Sequence, residues 1–193
     1  MLAGGRSSRF AGVPKGLELV GGTRIIDRVS AALRGVSPEL ILVANDPAAD
    51  AWLPGARVVA DQRHDAGGLA GLESALSLER DVVIVAWDMP FVTAALLRTI
   101  LETARRTDAD AVVPPSDSPF GVEPFCAFYA ARARGALQLF LGAGRRAAHD
   151  FVASLARVHI LDPHTPDLLP HSLMSVNTAD DLTRARAIAE RPQ

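Results

Sequence analysis

Four segments of the chain combine residue types and spacings suited to phosphate and metal chemistry. Near the start, Leu2-Ala3-Gly4-Gly5-Arg6-Ser7-Ser8-Arg9-Phe10 is followed by Gly12-Val13-Pro14-Lys15-Gly16. Adjacent glycines let a backbone turn tightly and present amide hydrogens to an anion. Arg6, Arg9 and Lys15 add positive charge, and Ser7 and Ser8 add hydroxyl donors, so the segment is equipped to bind polyphosphate. Its spacing matches neither the Walker A loop nor GxGxxG. The same residues would also make a Gly-rich surface turn with solvated arginines, and the segment alone does not separate the two.

The second segment is Asp88-Met89-Pro90, directly after the apolar run Val82–Ala86 and Trp87. A carboxylate at the end of a buried strand can hold a divalent metal beside a phosphate, because Mg²⁺ needs only one or two protein carboxylates. It can equally cap the helix that follows. The third, Gly67-Gly68-Leu69-Ala70-Gly71, opens a predicted helix with three glycines. Missing side chains there admit a flat ring, or simply close helix packing. The fourth, Ser175-Val176-Asn177-Thr178-Ala179-Asp180-Asp181, contains a capping-box pattern in Thr178 and Asp181, which leaves Asn177 free to face a ligand. Arg145-Arg146, after Gly142-Ala143-Gly144, could receive a second phosphate or stay solvated. His64, His149, His159, His164 and His171 show no paired ligand spacing, so no zinc site is expected. Cys126 lies in an apolar strand and is expected in the core.

These residues need elements to position them. Short apolar runs at 40–44, 58–60, 82–86, 111–113, 125–129 and 158–161 read as strands. Between them, apolar stripes at helical spacing predict helices over 24–33, 69–78, 94–106 and 182–188, with Thr93 capping the third. Continuous apolar strands alternating with helices imply a three-layer α/β fold with a mostly parallel sheet. Ligands of such sheets bind beyond the carboxyl ends of the strands. That rule selects Gly4-Gly5, Asn45-Asp46, Asp61, Asp88 and Pro114-Pro115. Prolines, serines and glycine mark 114–124 as a loop, and 163–170 reads as another.

The chain has 193 residues, a length that suits one domain. Its 20 basic residues comprise 19 Arg and the single Lys15, against 22 acidic ones, for a net charge of -2. That balance argues against a general nucleic-acid or anionic-membrane binder. The apolar runs are too short to span a membrane, and the start lacks the order of a signal peptide. With one Cys suiting a reducing compartment, a cytoplasmic protein is expected.

LAGGRSSRF…GVPKG, GGLAG at 67–71, DMP at 88–90, EPFCAFY at 123–129 and SVNTADDL at 175–182 appear in order across nearly the whole chain. Together they resemble the molybdenum cofactor guanylyltransferases. The resemblance implies a Rossmann-like nucleotidyltransferase domain over 1–193, nucleotide-binding over about 1–113 and acceptor-binding over about 114–193. It implies transfer of GMP from GTP to molybdenum-bound molybdopterin, with Mg²⁺ as cofactor, pyrophosphate as leaving group, and molybdenum-insertion or molybdoenzyme chaperone proteins as partners. Carried over residue by residue, Leu2, Ala3, Gly4, Gly5 and Arg6 would contact the nucleotide, and Lys15 and Arg9 its phosphates. Asn45, Asp61 and Gly68, Leu69, Ala70 and Gly71 would lie near base and ribose. Asp88 would bind Mg²⁺, and Asn177, with Arg145 or Arg146, would face the pterin.

Three departures stand out. Ser175 replaces a second Asn, Phe10-Ala11-Gly12 stands where Met-Gly is more typical, and only Met1 precedes Leu2. A strand usually needs about five residues, so upstream sequence is expected. The alternatives are a cytidylyltransferase acting on the pterin or another phosphorylated acceptor, and a non-catalytic nucleotide-binding adaptor. Gly4, where cytidylyl relatives carry Ala, and the GGLAG segment favour guanine.

Overall fold

The computed structural model describes residues 1–3, 9–10, 13–63 and 67–190, with Arg9, Phe10 and Val13 described by backbone alone. Two short antiparallel pairings come first: β1 (Arg9–Phe10) with β2 (Val13–Pro14), and β3 (Leu19–Val20) with β4 (Thr23–Arg24). Between them lies a 3₁₀ turn, Lys15–Leu17. The chain continues through α1 (Ile25–Arg34), β5 (Ile41–Val43), α2 (Ala49–Trp52), β6 (Arg57–Val59), α3 (Gly68–Leu76) and β7 (Val82–Val85). It ends with α4 (Ala94–Thr107), β8 (Ala111–Val113), β9 (Cys126–Tyr129), α5 (Ala133–Gly142), α6 (Ala148–Ser154), β10 (Val158–Ile160) and α7 (Ala179–Ala189).

β5 pairs with β6 and β8 with β10, both parallel, whereas β9 runs antiparallel to β7 and β8. Leu2 joins the halves by parallel bridges to Val43 and Ala86. Its N–H donates to Val85 O at 2.9 Å, and its own carbonyl accepts from Trp87 N at 3.0 Å. The order across the sheet is therefore β6, β5, Leu2, β7, β9, β8, β10. β9 is inverted because no helix separates it from β8: the 114–124 loop doubles back, with Pro115 bridging Val122 antiparallel. A parallel return would need a crossover of a dozen or more residues.

Helices cover both faces. On one, Ile25, Ile26, Val29 and Leu33 of α1, Leu96, Leu97 and Ile100 of α4, and Leu182 of α7 join a single buried cluster. On the other, Leu69, Leu72 and Leu76 of α3, Leu137 and Phe140 of α5, and Phe151 of α6 form a second. Burial of each large aliphatic side chain contributes roughly 1.5–3 kcal/mol by removal from water. Thr93 Oγ1 accepts from Leu96 N at 3.1 Å and starts α4 as the sequence predicts. Three helices were not anticipated. α2 and α6, with four and seven residues, are too short to display a period. α5 does bury Leu137, Phe140 and Leu141 at the expected spacing, but it carries Gly135 and Gly142. Among the described residues no helix is long and apolar enough to cross a membrane.

Candidate functional site

β5, β6, β7 and β8 all point the same way, so the residues following them gather on one edge of the sheet. Lys15 arrives there from the 3₁₀ turn and is 7% exposed. Its ammonium forms a short ion pair with Asp88 Oδ2, and it donates to Asn177 Oδ1 at 2.9 Å. Three of the four sequence segments thus converge on one buried charge. Asn177 is not free, as the sequence suggested, but engaged by Lys15.

Packing explains the placement of the turn. Gly16 lies flat against the Trp87 indole, where an added Cβ would sit 2.3 Å from a ring carbon. Trp87 stacks on Trp52, with ring centroids 5.0 Å apart. The 175–177 segment is fixed from two sides: Val176 N donates to Asp88 O at 2.9 Å, and Thr178 and Asp181 form a reciprocal capping box at the start of α7. From the same helix, Arg186 donates to Leu19 O at 3.0 Å and pairs with Glu18, tying α7 to the chain just beyond Lys15.

Asn45 and Asp61 link the ends of β5 and β6. Asn45 Nδ2 donates to Asp61 Oδ2 at 3.0 Å, and Asp61 N donates to Asn45 Oδ1 at 2.8 Å. The chain beyond them is latched to α3: Gln62 N donates to Ser74 Oγ at 2.9 Å, and Arg63 makes a two-pronged pair with the buried Glu73. The three glycines of the GGLAG segment serve different ends. Gly67 adopts φ +57° and ψ -146°, a conformation that disfavours any side chain. Gly68 meets Phe125, where an added Cβ would sit only 2.4 Å from the ring, and Gly71 presses on Leu2. Leu69 and Ala70 are buried in the core. The start of α3 therefore offers backbone N–H groups, not side chains, to a ligand, and such a helix terminus favours anions.

Leu2 and Ala3 are also buried, and both backbone polar groups of Leu2 are engaged in the sheet. Gly4, Gly5 and Arg6 lie outside the described residues, as do the Arg9 side chain and all of His64. Arg145 and Arg146 occupy the α5–α6 loop. Arg145 stacks over Phe140 at 4.2 Å and pairs with Asp150 at 3.5 Å; Arg146 donates to Leu141 O at 2.9 Å. None of these contacts reaches Lys15, Asp88 or Asn177. A Phe120–His149 stack, with centroids 3.7 Å apart, joins the start of α6 to the loop after β8. Glu123, in the EPFCAFY segment but given no role from sequence, is half-buried, and its carboxyl accepts from Phe125 N at 2.9 Å. A charged residue just before a buried strand was its one signal. Cys126 is buried as expected, and burial pushes its thiol far above the ordinary range.

Asp88 is 6% exposed, and its Oδ1 is buried without a hydrogen-bond partner among the described residues. A carboxylate oxygen in that condition suits a hard cation, so the residues present fit Mg²⁺. Among the described residues no three His, Cys, Asp or Glu side chains gather as a closed metal cage.

The chain matches the family model described as "MobA-like NTP transferase domain" over residues 1–158. It is 34% identical to a protein of Chloroflexus aggregans named "Probable molybdenum cofactor guanylyltransferase", with 97% of this chain and 92% of that one covered. It is 32% identical to the "Molybdenum cofactor guanylyltransferase" of Desulfosudis oleivorans, covering 97% and 93%. Among solved structures, molybdopterin-guanine dinucleotide biosynthesis protein A from Archaeoglobus fulgidus superposes with a TM-score of 0.78 at 28% identity, covering 97% and 95%.

Proposed function

Because the chain belongs to the MobA-like NTP transferase family, and so is a nucleotidyltransferase, we propose that it transfers GMP from GTP to molybdenum-bound molybdopterin and releases pyrophosphate. The observation that carries this reading is the buried Lys15 ammonium held between Asp88 and Asn177 at the carboxyl edge of the sheet. The relatives' names supply the substrate class.

The reaction asks little covalent chemistry of the protein. The terminal phosphate of molybdopterin is already an anionic nucleophile, so no general base is required. A new P–O bond forms at the α-phosphorus of GTP, and the α–β anhydride bond breaks as pyrophosphate leaves. Catalysis then rests on alignment of the two phosphates and neutralisation of the developing charge. Lys15 suits this because an ammonium on a flexible four-carbon stem can exchange Asp88 for a phosphate oxygen. Gly4 and Gly5 would hold the nucleotide's anionic portion, and the backbone N–H groups at the start of α3 would face its base and ribose. Mg²⁺, held by Asp88 when bound, would supply electrostatic stabilisation of the phosphates. Asn177 would orient Lys15 and border the acceptor.

The direct test supplies purified protein with GTP, Mg²⁺ and molybdopterin, and follows pyrophosphate and the dinucleotide product. Both are expected with GTP and neither when molybdopterin is omitted. Faster turnover or tighter Mg²⁺-dependent binding with CTP would overturn the guanine assignment. Nucleotide binding with no pyrophosphate release would instead identify an adaptor.

A further inference from the structure

α3 buries a charge that its packing does not need. Every residue from Leu69 to Leu76 is buried, and Glu73, the one charged residue of the helix, is 4% exposed. Its carboxylate is met by a two-pronged fork from the half-buried Arg63. Nε donates to Oε2 at 3.0 Å and Nη2 to Oε1 at 3.1 Å, from ten residues back along the chain. Replacing a buried ion pair by apolar side chains of similar volume is often neutral or stabilising, so stability alone gives poor reason for this one. What a fork does supply is geometry, because two parallel bonds to a planar guanidinium fix both distance and direction.

Two more bonds repeat the link. Gln62 N donates to Ser74 Oγ at 2.9 Å, and Gln62 Nε2 to Ser77 Oγ at 3.0 Å. The helix itself aims both serines: Ser74 Oγ donates to Ala70 O at 3.0 Å and Ser77 Oγ to Ser74 O at 2.7 Å. One residue earlier, Asp61 is joined to Asn45, and its Oδ1 lies 3.6 Å from the place a Cβ on Gly71 would take. The chain from Asp61 to Gly71 is thus tied at its entry to the end of β5 and, through Arg63 and Glu73, to the body of α3. These are the residues that the nucleotide reading sets beside base and ribose.

We propose that Glu73, acting through Arg63, is a positioning residue for the nucleoside of GTP, holding the 61–71 segment at the distance and angle at which it meets base and ribose. This deepens the guanylyltransferase reading and rests on it. The pair acts through the backbone it holds, so its effect falls on nucleotide placement and not on phosphate chemistry.

Calorimetric titration with GTP and with ATP in Mg²⁺, together with KM and kcat for pyrophosphate release and thermal melts, separates positioning from structure. Glu73→Gln keeps an acceptor and removes the charge. It should raise KM for GTP roughly tenfold, since displacement by about 1 Å can cost up to about 100-fold, while kcat stays near wild type. Arg63→Lys keeps the charge without the fork and should fall between Glu73→Gln and the wild type. The paired change Arg63→Met with Glu73→Leu is the critical variant. It should melt at or above wild type, yet keep the raised KM and discriminate less between GTP and ATP. Wild-type KM and discrimination in that variant would overturn the proposal and leave the pair a feature of packing. A loss of kcat at unchanged KM would also overturn it, by moving the effect to the phosphates. A wild-type protein with no preference for GTP over ATP would instead overturn the reading on which the proposal rests.

Discussion

Arginine cannot take the place of Lys15 in this geometry. The ammonium fits a buried gap between Asp88 and Asn177, with Gly16 pressed on Trp87 beside it. A planar guanidinium is wider and less able to exchange partners, so Lys15→Arg should retain the charge yet lower kcat for pyrophosphate release. Wild-type kinetics would count against a close phosphate contact. Lys15→Met isolates the other half of the pair. An uncompensated buried carboxylate should cost about 3–5 kcal/mol, and saturating Mg²⁺ should restore part of that by supplying charge at Asp88. Melts in EDTA and in Mg²⁺ measure the difference, and an equal loss in both would argue against cation binding there. Asp88→Asn should abolish metal-dependent turnover while preserving the far-UV circular dichroism.

The elements matter because each holds one of these side chains from a distance. α3 begins where Gly68 touches Phe125, and Phe125 N is the group that holds Glu123. Gly68→Ala should push the ring away and shift the start of α3. The expected cost is about 1–3 kcal/mol, typical of overpacking, together with weaker nucleotide binding measured by calorimetry. Thr178→Ala removes the α7 capping box and should cost about 1 kcal/mol, raising KM for the acceptor as Asn177 loosens. Most elements were legible in the sequence, because apolar period reports burial: the stripe in α1, the cap of α4 and the box of α7 all appear where the pattern puts them. The direction of β9 was not legible, since an apolar run reads the same both ways. The GGLAG segment announced a lack of side chains without saying which partner required it.

Across the whole molecule, the edge opposite the site is closed by an acid. Asp110, just before β8, accepts from Arg132 Nε at 2.6 Å, beyond β9, and from Arg157 N at 3.1 Å, before β10. Burial by itself would raise the Asp110 carboxyl, but the hydrogen bonds from Arg132 and Arg157 outweigh it and hold it below its ordinary value. A depressed value in the folded state means stability that is complete above the unfolded carboxyl's value and is lost as pH falls through the folded one. Asp110→Asn should therefore cost about 1–3 kcal/mol at neutral pH, and the gap from wild type should close below about pH 4. Urea melts across that range check both statements, and a gap independent of pH would mean that packing, not charge, explains the loss.

The sequence by itself determined the α/β class, the six strands β5 to β10 and four of the helices, though not the two-residue strands β1 to β4, and nominated Lys15, Asp88 and Asn177, because periodicity and residue chemistry are local properties. Tertiary structure alone decided that these three meet, since 162 residues separate Lys15 from Asn177 and no local pattern records a hydrogen bond of that span. It also decided that Leu2 turns its backbone into the sheet rather than toward a ligand, and that β9 lies antiparallel between β7 and β8, with Val85 opposite Cys126. Register is a relation between two strands, so neither strand's sequence contains it.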